Sequence, residues 1–377
     1  TDAPAGARDL RLFRNGSLVY VRRGALEAGR AAVEATVPVV AGENVFTAYA
    51  FNRDNVKSAD ARATVRGDER LRRAPTTYIV AVGVNTYANP RYNLKFSAAD
   101  ANSFVEEVKR QRSLVEPEGR TEAVTLLDAD ATKANILTAL RRLSGTEASA
   151  LPASAPKSLE ALKPAEPEDV VIVYFAGHGT AQRNRFYLIP HDIGYMGERE
   201  LKSEFSLQTI INHSVSDEEL EKLFEPINAG QVVLVLDACN SGQALEAEER
   251  RRGPMNSRGL AQLAYEKGMY VLTAAQSYQA ALEAVQLGHG LLTYALVQEG
   301  LQKGEADSRA ARDGQIVVRE WFDFAAERVP RMRFEQVKLA RGIRVARVVA
   351  DVQRPRTFYR RELDARPLVI AKPERSF

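Results

Sequence analysis

The rhythm of apolar and polar positions changes once along this chain, near Thr76. Before it, short runs alternate with a period of two. Leu10-Arg11-Leu12-Phe13 is one such run, and Ser17 to Val21 returns from the hairpin turn signalled by Asn15-Gly16. Ala32 to Val40, Val45 to Phe51 and Ala61 to Val65 are also β-rich, with a turn at Gly42-Glu43-Asn44. Five or six short strands without a helical period predict a small all-β, sandwich-like domain over residues 1–70, joined by a charged linker at 71–76.

From Thr76 onward, apolar runs alternate with helical patterns. Tyr78 to Val84 is nearly continuous in apolar residues, as a strand covered on both faces requires. Ala101, Phe104, Val105 and Val108 then carry helical spacing within Asp100 to Gln111. Val124 to Leu127 reads as a strand and Ala134 to Leu143 as a helix. Val170 to Phe175, Val232 to Leu236 and Met269 to Thr273 are three further strands. Ser216 with Glu219 forms a capping box that opens a helix through Leu220, Leu223 and Phe224. Leu291 to Leu301 and Val318 to Arg328 are helical. This alternation predicts an α/β domain over 77–350, a mostly parallel sheet flanked by helices, with a C-terminal extension at 351–377. Residues 145–168, crowded with Ala, Ser, Pro and Lys, predict an exposed insertion.

Composition narrows the function classes. The chain has 377 residues, and 52 Lys and Arg face 49 Asp and Glu, so the charge of +3 is too balanced for a dedicated nucleic-acid binder. No apolar stretch approaches the roughly 20 residues that cross a bilayer, so no membrane association is expected. Cys239 is the one cysteine, which excludes an intramolecular disulfide and a cysteine zinc cage, and suits a reducing cytoplasm. The first residue is Thr1, not Met, and an upstream segment is left open.

The chemistry concentrates after two of the most apolar runs. One leads into Ala176-Gly177-His178-Gly179-Thr180, the other into Asp237-Ala238-Cys239-Asn240-Ser241-Gly242. In open α/β sheets, ligands bind beyond the carboxyl ends of strands. If these strands are neighbours, His178 can take the proton of Cys239 and leave a thiolate. The N–H groups of Gly179 and Cys239 would face the resulting oxyanion. His191, His213 and His289 have no metal spacing and read as ordinary loop or helix-end residues.

Tyr-Phe-Ala-Gly-His-Gly (174–179) and Asp-Ala-Cys-Asn-Ser-Gly (237–242) resemble the two signatures of caspase-like cysteine peptidases, closest to their bacterial metacaspase and orthocaspase branch. The resemblance runs from about Tyr78 to about Val329. It takes in Gly83-Val84-Asn85 with Tyr87, Asn93-Leu94, Ala99-Asp100-Ala101 and Gly290-Leu291-Leu292-Thr293-Tyr294. It implies a caspase-like fold, a Cys239–His178 dyad and proteolysis of a protein or peptide substrate, with cell-death or defence signalling as the biological setting. Asp100 and Asp237 match the pocket that takes the residue before the scissile bond, and Glu283 falls where relatives often carry a third acid. Carboxylates there favour Arg, then Lys, over Asp. Arg250 to Arg252 read as a solvated charged loop or, since relatives are often activated by a cut in this region, as a self-cleavage site. Calcium ligands of many metacaspases map loosely to Asp192, Asp217, Glu218 and Glu246, but no metal or other cofactor is assigned. The N-terminal β-domain is expected to dock a regulatory partner. The rival reading is a caspase-fold scaffold without turnover.

Overall fold

The computed structural model describes residues 6–25, 32–52, 54, 56–147, 150–182, 185–199, 203–240, 261, 264–265, 267–274, 287–307, 313–341, 355–360 and 366–373. The N-terminal part is one antiparallel sheet of β1 (Ala7–Arg14), β2 (Ser17–Ala25), β3 (Gly42–Asn52) and β4 (Ala61–Gly67), in the order β2-β1-β3-β4. Asn15 and Gly16 both have positive φ, 51° and 92°, as the tight turn between β1 and β2 demands. The expected sandwich is not found. Among the described residues there is a single layer, and 32–40 forms no strand. Phe13, Leu18 and Tyr49 make its small core. What covers it comes from far along the chain: the Arg360 guanidinium lies 3.8 Å from the Phe13 ring centre. The basic, aromatic tail at 357–360 thus packs against the N-terminal sheet through Arg360.

The second part is built on β5 (Thr76–Gly83), β6 (Arg120–Leu127), β7 (Val170–Gln182), β10 (Gln231–Asn240) and β11 (Tyr270–Ala274), all parallel, in the order β6-β5-β7-β10-β11. Numbered by appearance this is 2-1-3-4-5, a doubly wound sheet whose direction of winding switches between β5 and β7. Alternate residues of each strand point to opposite faces, and both faces are covered. Val80, Val173 and Leu234 pack with α2 (Lys133–Ser144), α3 (Glu204–His213) and α4 (Asp217–Phe224). Ile79, Ile172 and Val235 pack with α1 (Ser97–Val115), α5 (Leu291–Thr293), its π-helical continuation Tyr294–Gln302, and α6 (Val318–Arg341). The capping box holds, with Ser216 and Glu219 bonding each other's backbone.

Two further expectations are corrected. Residues 145–168 are not an exposed insertion as a whole: Leu159, Leu162 and Ala165 are buried in the main core. Leu159 lies in the 3-10 turn Lys157–Ala161, and Leu162 and Ala165 follow on the extended segment after it. The C-terminal residues are part of the sheet system. β13 (Arg356–Phe358) pairs antiparallel with β11, and β14 (Val369–Ala371) pairs with β12 (Ile316–Val317). No helix among the described residues is long and apolar enough to cross a membrane.

Candidate active site

β7 does not stop before its histidine. It runs on through Gln182, and its far half pairs with β8 (Arg185–Ile189), which in turn pairs with β9 (Val215–Ser216). Gly177 and Gly179 therefore lie within a strand that the sequence reading ended at Phe175. Gly177 serves close approach instead. A Cβ there would stand 3.0 Å from the Tyr87 hydroxyl oxygen and 3.1 Å from the Phe175 ring.

β7 and β10 are hydrogen-bonded neighbours in a register that makes His178 and Cys239 partners. The two signature residues thus meet across adjacent parallel strands, on the side of the switch point where the sheet's carboxyl ends open. Gly179 is paired with Asn240 on one side and Leu188 on the other. An oxyanion donor at Gly179 would have to leave that ladder.

His178 is fully buried, and contacts with Tyr87 and Tyr92 set its orientation. Its ring Nε2 lies 2.7 Å from the Tyr92 carbonyl oxygen. A carbonyl only accepts, so Nε2 carries the proton and Nδ1 holds the lone pair. Nδ1 has no hydrogen-bond partner among the described residues. The backbone N–H of His178 donates to the Tyr87 hydroxyl at 2.8 Å. The Tyr87 ring lies tilted at 5.0 Å and the Tyr92 ring edge-on at 5.9 Å. Burial, and then the charge of Arg199, pull the imidazole down to about 3, against the Tyr92 bond that favours the cation. The ring is a neutral base whose basic nitrogen is unoccupied by any described group.

The two aspartates sit beneath the same edge. Asp100, in the first turn of α1, is buried, and its Oδ1 accepts from His289 Nδ1 at 2.8 Å. The Gly290 N–H spans both carboxylate oxygens at 3.2 and 3.0 Å. Burial pushes the Asp100 carboxyl above its usual range, and the bonds from His289 and Gly290 hold it back. Asp237, near the end of β10, is also buried and accepts from Thr293 Oγ1 at 3.5 Å. Thr293 in turn bonds the Tyr174 hydroxyl at 2.6 Å. Tyr174 is pushed well above its ordinary value by burial and by the charges of both Asp100 and Asp237. One helical turn, Gly290 to Thr293, therefore holds both carboxylates.

Sequence reasoning missed His289, which was read as an ordinary helix-end residue, and Tyr87, Tyr92 and Thr293 as supports of the site. The Gly-His-Gly spacing at 288–290 was the available signal. Glu283, Glu246 and Arg250 to Arg252 lie outside the described residues. The other acids of the loose calcium set have protein partners: Asp192 accepts from the Lys133 N–H, Asp217 from Arg185 and the Phe186 N–H, and Glu218 pairs with Arg185 and Lys222. No metal-binding cluster is found among the described residues.

A doubly wound sheet with a histidine and a cysteine in register on neighbouring strands defines the class, an α/β fold whose signature residues gather at the carboxyl edge of the sheet. Comparison adds a family: residues 156–338 match the family model of the caspase domain, Peptidase_C14. No curated protein matches it. Two solved structures align over much of this chain but share little else with it. A Bacillus subtilis protein, YXIM, shares 11% identity over 87% of this chain and 75% of its own, with a TM-score of 0.23. A polysaccharide deacetylase from Bacillus cereus shares 9% over 68% of this chain and 80% of its own, with a TM-score of 0.13. Neither likeness bears on the fold or the chemistry.

Proposed function

We propose that this chain is a cysteine endopeptidase that cuts after Arg, and less readily after Lys, with Cys239 as nucleophile and His178 as its base. One observation carries the dyad: Cys239 is the register partner of a histidine whose tautomer leaves Nδ1 basic. In the first step the thiol proton passes to His178 Nδ1, and sulfur attacks the peptide carbonyl. As the C–N bond breaks, His178 returns the proton to the leaving amine, giving a thioester. Water, deprotonated by the same nitrogen, then releases the acid and restores the thiol. His178 is neutral in the free protein, and because burial weakens it as a base it takes the proton only as the thiolate charge forming beside it offsets that burial.

The preference for a basic residue is supported by Asp100 and Asp237, two buried carboxylates joined through one helical turn. An incoming aspartate would meet two like charges in a low-dielectric site, while a guanidinium would be drawn in. The test is hydrolysis of matched fluorogenic peptides ending in Arg, Lys or Asp by the wild type, Cys239→Ala and Asp100→Asn. The expected outcome is cleavage after Arg exceeding that after Lys, none in Cys239→Ala, and a loss of at least tenfold in kcat/KM in Asp100→Asn. Cleavage after Asp would sink the pocket reading. Turnover that survives Cys239→Ala would sink the dyad.

A further inference from the structure

The carboxylate that the proposed pocket needs is already engaged. Asp100 Oδ1 takes two donors, His289 Nδ1 at 2.8 Å and the Gly290 N–H at 3.2 Å, and the same N–H reaches Oδ2 at 3.0 Å. A guanidinium that grips a carboxylate side-on requires both oxygens. The Asp100 side chain is 4% exposed and the His289 side chain 19%, so the imidazole stands on the more open side of the pair. A ring nitrogen facing an acceptor-only carboxylate bears its proton, and it meets Asp100 as a substrate N–H would.

The backbone around His289 suits a residue that can leave. It is flanked by Gly288 and Gly290. Gly288 has φ +67°, the left-handed region that glycine adopts without strain, and a Cβ there would meet nothing within 4 Å. By contrast, the Gly290 N–H is fixed at the start of α5. It can keep Asp100 in place while the ring moves aside.

We infer that His289 is an internal occupant of the specificity pocket: its imidazole holds Asp100 in the free protein and must be displaced by the basic side chain of the substrate. This rests on the reading that Asp100 receives that side chain. His289 thereby sets a threshold on selectivity. Only a side chain that offers Asp100 more than the imidazole's single N–H can take its place, which favours the paired donors of Arg over Lys. The cost falls on substrate binding, not on the chemical step, because His289 makes no contact with the dyad histidine among the described interactions.

The experiment uses benzamidine, a small amidinium probe, in calorimetric titrations of the full chain carrying Cys239→Ala, with and without His289→Ala. Binding should be at least fivefold tighter without the imidazole, and the gain should vanish when Asp100→Asn is added. In the active protein, His289→Ala should lower KM for Arg peptides at least threefold and leave kcat within twofold. Should His289→Ala fail to fold, His289→Gln keeps a donor within reach and should give a smaller gain of the same sign. Unchanged or weaker benzamidine binding in His289→Ala, with the parent binding normally and Asp100→Asn abolishing it, overturns the occupant role and leaves the basic pocket standing. Benzamidine that ignores Asp100→Asn removes the pocket reading and this inference with it.

Discussion

His178 sets the first pH dependence of the molecule. Its ordinary value of 6.5 falls to about 3 in the folded protein because the ring is buried and Arg199 is near. Between these values the unfolded chain binds a proton that the native chain refuses. Stability therefore falls as pH drops from 6.5 towards 3, by at most about 1.4 kcal/mol per pH unit from this group. Above 6.5 neither state holds the proton and the dependence ends. Urea denaturation at pH 7, 5.5 and 4.5 should show the decline in the wild type and a shallower one in His178→Gln. Equal declines would mean that His178 is not the group responsible. Tyr87 acts beside it by accepting the His178 backbone N–H. Tyr87→Phe leaves that buried donor without a partner, which costs about 1–3 kcal/mol of stability. Since the hydroxyl aligns the strand that presents the base, the variant should lose kcat more than KM. A KM effect alone would place Tyr87 in substrate binding instead.

At the scale of elements, the closeness of α1 to β5 is what delivers Asp100. A Cβ on Gly83, the last residue of β5, would stand 2.5 Å from the Ser97 carbonyl oxygen and 2.9 Å from the Ala98 Cα, both backbone atoms of the first turn of α1. Gly83→Ala must push that turn outward and carry Asp100 away from Gly290. The expected result is a loss of about 1–3 kcal/mol and a raised KM for Arg peptides; an unchanged KM would show that the turn can shift without moving the carboxylate. Elements whose reason is local were legible in the sequence: the doubly covered strand at Tyr78 to Val84, the hairpin at Asn15-Gly16, the capping box at Ser216. The two signature segments were legible too, and the register of β7 and β10 brings them together. What was not legible depends on contacts between distant segments. Nothing near Phe13 announces Arg360 as its cover, nothing near Asp100 announces His289, and Leu159 needs the sheet edge to show that it is buried.

Across the whole molecule, a buried lysine helps tie the N-terminal sheet to the second part of the chain. Lys267 Nζ donates to the carbonyl oxygens of Leu18 on the sheet and of Glu225 and Ile227 beyond α4, at 3.1, 3.0 and 2.5 Å. An ion pair between Arg23 and Glu225 and a bond from the Ser17 hydroxyl to the Gly230 carbonyl lie alongside. Burial, assisted by Arg14 and opposed by Glu225, pulls Lys267 from 10.5 down to about 7. The sign of the consequence follows from where the proton goes. An undocked sheet returns Lys267 to water, where it holds its proton up to about 10.5, whereas the docked lysine has lost it above about 7. Docking and overall stability should therefore strengthen as pH rises from 7 towards 10.5, by at most about 1.4 kcal/mol per unit. Lys267→Met removes this dependence and takes away the two N–H groups that the neutral amine still offers the three carbonyls at pH 9, so there it should be the less stable protein by about 1–3 kcal/mol. Urea denaturation of both proteins at pH 7, 8 and 9 measures the two effects together. Parallel curves for wild type and variant would show that the lysine keeps its proton at the interface, and that the three carbonyls hold it as a full ammonium.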